Sequence, residues 1–150
     1  MLEERRDDGY ELSSERERID LPVVHRWLST DAYWAIGRPI EQMRAALDGS
    51  EAYGVYLGDT QVAVARVITD GAVFAYLCDV YVDPAHRGKG LAGWLVGSLR
   101  DHYAARGLKR FVLTTRDAQP VYAGQGFVDV EPGQWMTCDL LAVREAPAVH

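Results

Sequence analysis

Asp79-Val80-Tyr81-Val82-Asp83-Pro84-Ala85-His86-Arg87-Gly88-Lys89-Gly90-Leu91-Ala92-Gly93 reads as an apolar strand that runs into a glycine-rich turn and then an amphipathic helix. Glycines at 88 and 90 let backbone approach a ligand without Cβ clashes, and the free N–H groups of the following helix start face whatever sits there. The helix dipole adds roughly half a positive charge at that end, so the turn is an anion site before any side chain is counted. Arg87 and Lys89 add two formal charges.

Upstream, the pattern from Ala52 is extended. Tyr53 to Leu57 and Gln61 to Thr69 are expected strands, and Asp70-Gly71 predicts a hairpin into a third, Val73 to Val82. Further back, Asp20 and Pro22 open a helix carrying Val24, Trp27 and Leu28, and Ile40, Met43 and Leu47 mark a second helix closed by Gly49. Tyr10 to Ile19 is expected as a first strand, behind a flexible charged tail at residues 1–9.

Downstream, Leu91, Trp94, Leu95, Ser98 and Leu99 share one helix face, with Gly93 and Gly97 suited to close approach to a sheet. Phe111 to Thr115 is then a strand parallel to the one before the turn, by the strand–helix–strand rule. Asp117 is expected to cap a short helix through Tyr122 that stops at Gly124-Gln125-Gly126. Final strands are expected at Phe127 to Val130 and Trp135 to Leu140, with a tail over residues 142–150. Residues 10–141 are therefore read as one domain.

With 150 residues, 48% of them hydrophobic and 25% charged, the chain suffices for one self-supporting core. A net charge of −6 argues against a nucleic-acid partner, which calls for a basic face. Cys78 and Cys138 lack metal or disulfide spacing, and the four histidines show none either, so no metal is expected. No run approaches the ~20 apolar residues of a membrane span, so no membrane partner is expected and a cytoplasmic location is the default.

Gly88, Gly90 and Gly93 satisfy the glycine spacing of dinucleotide-binding folds. The context does not: the strand is entered through an antiparallel hairpin, and residues 108–114 hold no acidic group for a ribose. A phosphate-loop NTPase is excluded by the lack of Gly-Lys-Ser/Thr. A tight turn that binds nothing is the remaining structural alternative.

The flanking residues favour a different reading. Arg87-Gly88-Lys89-Gly90-Leu91-Ala92 resembles the R/Q-x-x-G-x-G/A signature of the GNAT superfamily of N-acetyltransferases, and Asp79-Val80-Tyr81-Val82-Asp83-Pro84 resembles that family's fourth strand. Tyr122-Ala123-Gly124-Gln125-Gly126-Phe127 resembles its second recurrent element, about 30 residues on. The resemblance covers roughly residues 10 to 140. It implies an α/β fold (a mixed α+β sheet) that is mostly antiparallel, with splayed fourth and fifth strands and helices on both faces. It also implies that Arg87, Gly88, Lys89, Gly90, Leu91 and Ala92 bind the pyrophosphate of acetyl-CoA. Its pantetheine arm would then lie along Val80, Tyr81 and Val82.

Acetyl transfer to an amine needs a neutral nitrogen, a positioned thioester, donors for developing negative charge and a proton for the leaving thiolate. Tyr122 is the expected acid, since a phenol of pKa about 10 is protonated at neutral pH. Asp79, the one acid in an apolar strand, is the candidate base, with burial expected to raise its pKa. Cys78 stands where several family members carry a glutamate, which weakens a family-style base; the thiol itself reads as a small buried residue. Thr115 and Asp117, near a frequent family asparagine, are candidate contacts to the pantetheine arm, with ending a strand and capping a helix as their alternative. Tyr33, Trp34 and Arg38 are candidates for acceptor binding, since an aromatic and acidic pocket suits a cationic amine.

The expected function is N-acetyl transfer from acetyl-CoA to a primary amine on a small molecule or peptide, by direct attack in a ternary complex. A non-catalytic acyl-CoA-binding module of the same fold is the alternative, and a homodimer is compatible with either.

Overall fold

The computed structural model describes residues 1–145. Six strands form one sheet in chain order: β1 (Glu3–Arg5), β2 (Tyr10–Ser13), β3 (Glu51–Leu57), β4 (Thr60–Thr69), β5 (Phe74–Val82) and β6 (Arg110–Val112). Every neighbouring pair is antiparallel except β5 and β6, which are parallel. The helices are α1 (Leu21–Asp31), α2 (Ile40–Asp48), α3 (Leu91–Ala105), α4 (Gln119–Ala123) and α5 (Leu140–Glu145).

Local chemistry explains the best-read elements. The Asp20 carboxylate accepts from the Val23 N–H at 3.3 Å, with Pro22 in the first turn of α1. In the β4–β5 turn, Asp70 Oδ1 accepts from the N–H groups of Ala72, Val73 and Phe74 while Gly71 takes a φ of +75°. Those three donors hold the Asp70 carboxyl down at about 2.

The sheet carries a core on each face. Leu91, Leu95, Leu99 and Tyr103 of α3 pack on Leu12, Val55, Val62, Val67 and Leu77. On the other face, Val24, Trp27 and Leu28 of α1 join Met43 and Leu47 of α2 against Val64 and Tyr81. Fully burying each large aliphatic side chain contributes about 1.5–3 kcal/mol.

β5 changes face midway. Ala75 and Leu77 belong to the α3 core, but Tyr81 belongs to the opposite one. The switch is a bulge: Cys78 pairs with Arg66 and Tyr81 with Val64, so Asp79 and Val80 together oppose Ala65. Asp79 has a φ of +52°, the one left-handed non-glycine residue among those described. The β5–β6 ladder runs from Phe74 and Arg110 only to Tyr76 and Val112. Beyond it the two strands splay, as expected.

Several expectations are corrected. The first nine residues are not a free tail: β1 pairs with β2, Leu2 packs on the core, and Ser98 on α3 donates to Glu4 Oε2 at 2.7 Å. The strand from Tyr10 ends at Ser13, and a 3-10 turn takes Arg16–Arg18. Asp117 does not cap α4; Thr115 Oγ1 accepts from the Ala118 N–H at 3.1 Å. Phe127 to Val130 and Trp135 to Leu140 are not strands, because β6 is three residues long and leaves little ladder edge to extend. Gly126 and Gly133, at φ +91° and +85°, bend the chain there, and Trp135 stacks on Phe74 at 6.4 Å. The tail expected from residue 142 is helical in α5 as far as Glu145, and the rest of it lies outside the described residues.

Candidate active site

The gap opened by the splay leads to the start of α3. After β5, Asp83 caps a short turn at Pro84–His86 by accepting from the Ala85 N–H at 3.0 Å. Gly88 and Gly90 then adopt φ values of +78° and +73°, which an L side chain rarely adopts. Trp94 is the first α3 amide bonded back into the helix, to Gly90 O at 3.0 Å. The amides of Leu91, Ala92 and Gly93 thus form the open first turn.

This turn lines a cleft of about 600 Å³ together with Val80, Tyr81 and Val82 of β5, Asp31 at the end of α1 with Ala32, Tyr33 and Trp34 after it, and Val121 and Tyr122 of α4. A smaller cleft of about 220 Å³ lies against Tyr76, Cys78, Asp79, Thr114 and Thr115. Tyr33, Trp34, Val80, Asp117, Ala118 and Tyr122 wall both, so the two are continuous beneath α4.

Tyr122 stands where they meet. Burial, with Tyr33 and Asp117 nearby, raises its pKa above the ordinary phenol value, so it stays protonated through neutral pH. Its placement follows from the glycines around it. The Tyr122 carbonyl accepts from Gln125 N at 2.9 Å and Phe127 N at 3.1 Å, closing a turn that Gly126 permits. Gln125 then lies across α3: a Cβ at Gly97 would sit 2.6 Å from Gln125 Oε1, and one at Gly93 3.3 Å from its Nε2. Gly93 and Gly97 thus serve the approach of this turn, not of a sheet. Arg100 Nη1 secures it by donating to Gln125 O at 2.9 Å.

Asp79 is placed differently from its expected role. Its side chain is 2% exposed and receives Arg38 Nη1 at 2.8 Å, Arg66 Nε at 2.9 Å and Trp34 Nε1 at 2.8 Å. Burial works to raise its pKa, but Arg38 and Arg66, through hydrogen bonds and charge, outweigh it and hold the carboxyl below its ordinary value. The expected raised-pKa base is therefore a firmly ionised carboxylate with three donors. Arg38 is likewise engaged in this cluster and does not line either cleft, whereas Tyr33 and Trp34 wall both. Burial pushes the Cys78 thiol up to about 11, in keeping with a small, unreactive residue.

The predicted anion residues divide. Gly88, Gly90, Leu91 and Ala92 line the larger cleft with Arg87. The Arg87 guanidinium is folded back, with Nε on Val82 O at 3.0 Å, Nη2 3.6 Å from Asp31 and the head 5.1 Å from the Tyr81 ring centre. Lys89 is exposed and outside the lining, and Thr115 lines the smaller cleft while closing the turn before α4 through the Ala118 N–H. His86, Asp31, Asp117 and Val121 also wall the larger cleft. His86 and Val121 had a signal in their adjacency to Arg87 and Tyr122, and Asp117 in its nearness to Thr115; Asp31 comes from packing. Among the described residues no cluster of three or more His, Cys, Asp or Glu side chains is arranged for a metal, and no helix is long and apolar enough to cross a membrane.

The site is thus a glycine turn at a helix start beside the open edge of a mixed sheet. The sequence pattern of the Acetyltransferase (GNAT) family matches residues 21–127, and the chain belongs to that family. A Gibberella zeae protein bearing an acetyltransferase name is 29% identical over 94% of this chain and 92% of its own. A crystal structure of a GNAT-family protein from Xanthomonas campestris superposes with a TM-score of 0.82 at 37% identity, covering 91% of this chain and 97% of that one. A crystal structure of a Clostridium acetobutylicum protein bearing an acetyltransferase name, solved with acetyl-CoA, shares the fold with a TM-score of 0.63 at 18% identity over 89% of this chain and 96% of its own.

Proposed function

We propose that this protein transfers the acetyl group of acetyl-CoA to a primary amine, on a small molecule or peptide, by direct attack in a ternary complex. The observation that carries the reading is the continuity of the anion-binding turn at α3 with the splay and the Tyr122 phenol. The residues fit the cofactor. At Gly88 a Cβ would meet nothing within 4 Å, so the turn has open space beside its free amides, where a pyrophosphate needs room and donors. The bulged β5 edge at Val80 to Val82 offers backbone groups to an amide-bearing pantetheine arm, with Thr115 across the smaller cleft. Acetyl-CoA bound to the Clostridium protein of the same fold supports this assignment.

When bound, acetyl-CoA supplies the thioester carbonyl. As the nitrogen–carbon bond forms and the carbon–sulfur bond breaks, Tyr122 gives its proton to the departing sulfur and regains one from solvent. The amine loses one proton to water in the open cleft before it attacks, and a second as the amide forms. Tyr33 and Trp34 wall the acceptor side, and Asp117, which lines both clefts, draws a cationic amine toward them. Arg38 and Asp79 act behind this wall by holding Trp34.

Calorimetry with acetyl-CoA, followed by thiol release over a panel of amines, tests the reading. Binding better than about 100 μM with thiol release from at least one amine is expected. Binding without release from any amine makes the protein an acyl-CoA-binding module, and no binding refutes the phosphate site.

A further inference from the structure

The β1–β2 hairpin precedes the region matched by the family pattern, yet it reaches the phosphate turn. Arg6 lies at its bend, shaped by Gly9 at φ +96° and by the bond from Arg6 N to Tyr10 O at 2.8 Å. Asp8 holds the guanidinium, through Nε at 3.1 Å and Nη2 at 2.5 Å. The head lies 5.4 Å from the Trp94 ring centre and 5.5 Å from that of Tyr10. Nη2 also donates to the Lys89 carbonyl at 2.9 Å, and Nη1 lies 3.9 Å from where a Gly90 Cβ would be.

A trans peptide points its C=O and N–H in opposite directions. Anchoring Lys89 O on Arg6 therefore turns the Gly90 N–H away from Arg6. Glycine at φ +73° has little intrinsic preference for that orientation, so an outside group must supply it. Tyr10 repeats the link from the same hairpin, its hydroxyl 2.8 Å from Nδ1 of the cleft-lining His86.

We propose that Arg6 is a positioning residue for the phosphate turn: it fixes the Lys89–Gly90 peptide for the pyrophosphate of coenzyme A. The proposal rests on the reading of this turn as the coenzyme A site. Its consequence is selective, since only ligands that carry the phosphates gain from Arg6.

The test titrates coenzyme A and pantetheine, its phosphate-free fragment, into the wild type, Arg6→Ala and Arg6→Gln, with melting temperatures recorded in parallel. Arg6→Gln keeps one N–H donor and removes the charge, and it serves if Arg6→Ala fails to fold. In Arg6→Ala, coenzyme A affinity is expected to fall about tenfold while pantetheine affinity stays within twofold; Arg6→Gln should fall between. Unchanged coenzyme A affinity, or an equal loss for both ligands, overturns the proposal. A wild type that binds the two ligands equally well refutes the reading of the turn itself, and Arg6 with it.

Discussion

Asp79 and Arg38 are joined across the α1–α2 connection by a bond of 2.8 Å, which ties the loop bearing Tyr33 and Trp34 to the bulge of β5. Arg66 on β4 approaches the same oxygen at 2.9 Å. A residue in the left-handed region and the walls of the cleft are thus held by one buried carboxylate.

Asp79→Ala should therefore be strongly destabilising, because it leaves two mostly buried guanidinium groups without their counter-ion. A loss of about 3–5 kcal/mol is expected from denaturant unfolding. The folded pKa of Asp79 lies below its unfolded value of about 3.9, so its contribution is present above that pH and lost as pH falls through the folded pKa. Below pH 4 the wild type should lose stability more steeply than Asp79→Asn. Parallel acid-unfolding curves would contradict the assignment.

Tyr122→Phe removes the proposed acid and leaves the ring to pack edge-on against Phe127, 5.9 Å away. With chemistry rate-limiting, kcat should fall about 100-fold while acetyl-CoA affinity changes little. Because the phenol pKa is raised, loss of the acid form should appear in the wild-type rate profile only above pH 10.

Gly90→Val tests the turn. The new Cβ approaches only the flexible Arg6 head, so the penalty comes from φ +73° and costs about 1–2 kcal/mol. The variant should remain folded by circular dichroism yet lose detectable coenzyme A binding by calorimetry.

Thiol labelling separates the two cysteines. Cys138 is exposed, whereas Cys78 is half-buried with its thiol pushed up to about 11. At pH 7.5 a thiol reagent should modify about one group per native chain and two after unfolding, an expectation that follows from thiolate fraction and access. Cys78→Ala should retain kcat within a few fold, and a loss beyond about 100-fold would restore a catalytic role to the thiol.

Local interactions made much of the fold legible. Asp20 capping α1, the Asp70-Gly71 hairpin and Gly88 and Gly90 before α3 each act within a few residues, so residue type alone announces them. Two motifs also placed Tyr122 and the glycine turn in one site before any coordinates. The charged start was misread because alternating charges in Glu3–Arg5 carry no apolar signal, although pairing with β2 orders them. The strands expected after Phe127 had the right composition but too short an edge to join.

Residue chemistry and short-range spacing thus specified a glycine turn at a helix start, and the resemblance of two motifs specified the family. Folding decided the charge state of Asp79 and the task of Arg6. Burial alone would raise the pKa of Asp79, and only the arrival of Arg38 from the α1–α2 connection and Arg66 from β4 reverses that sign. Arg6 reaches Lys89 across 83 positions of sequence. Such effects depend on distances in space, and the period and composition of a single segment contain none of them.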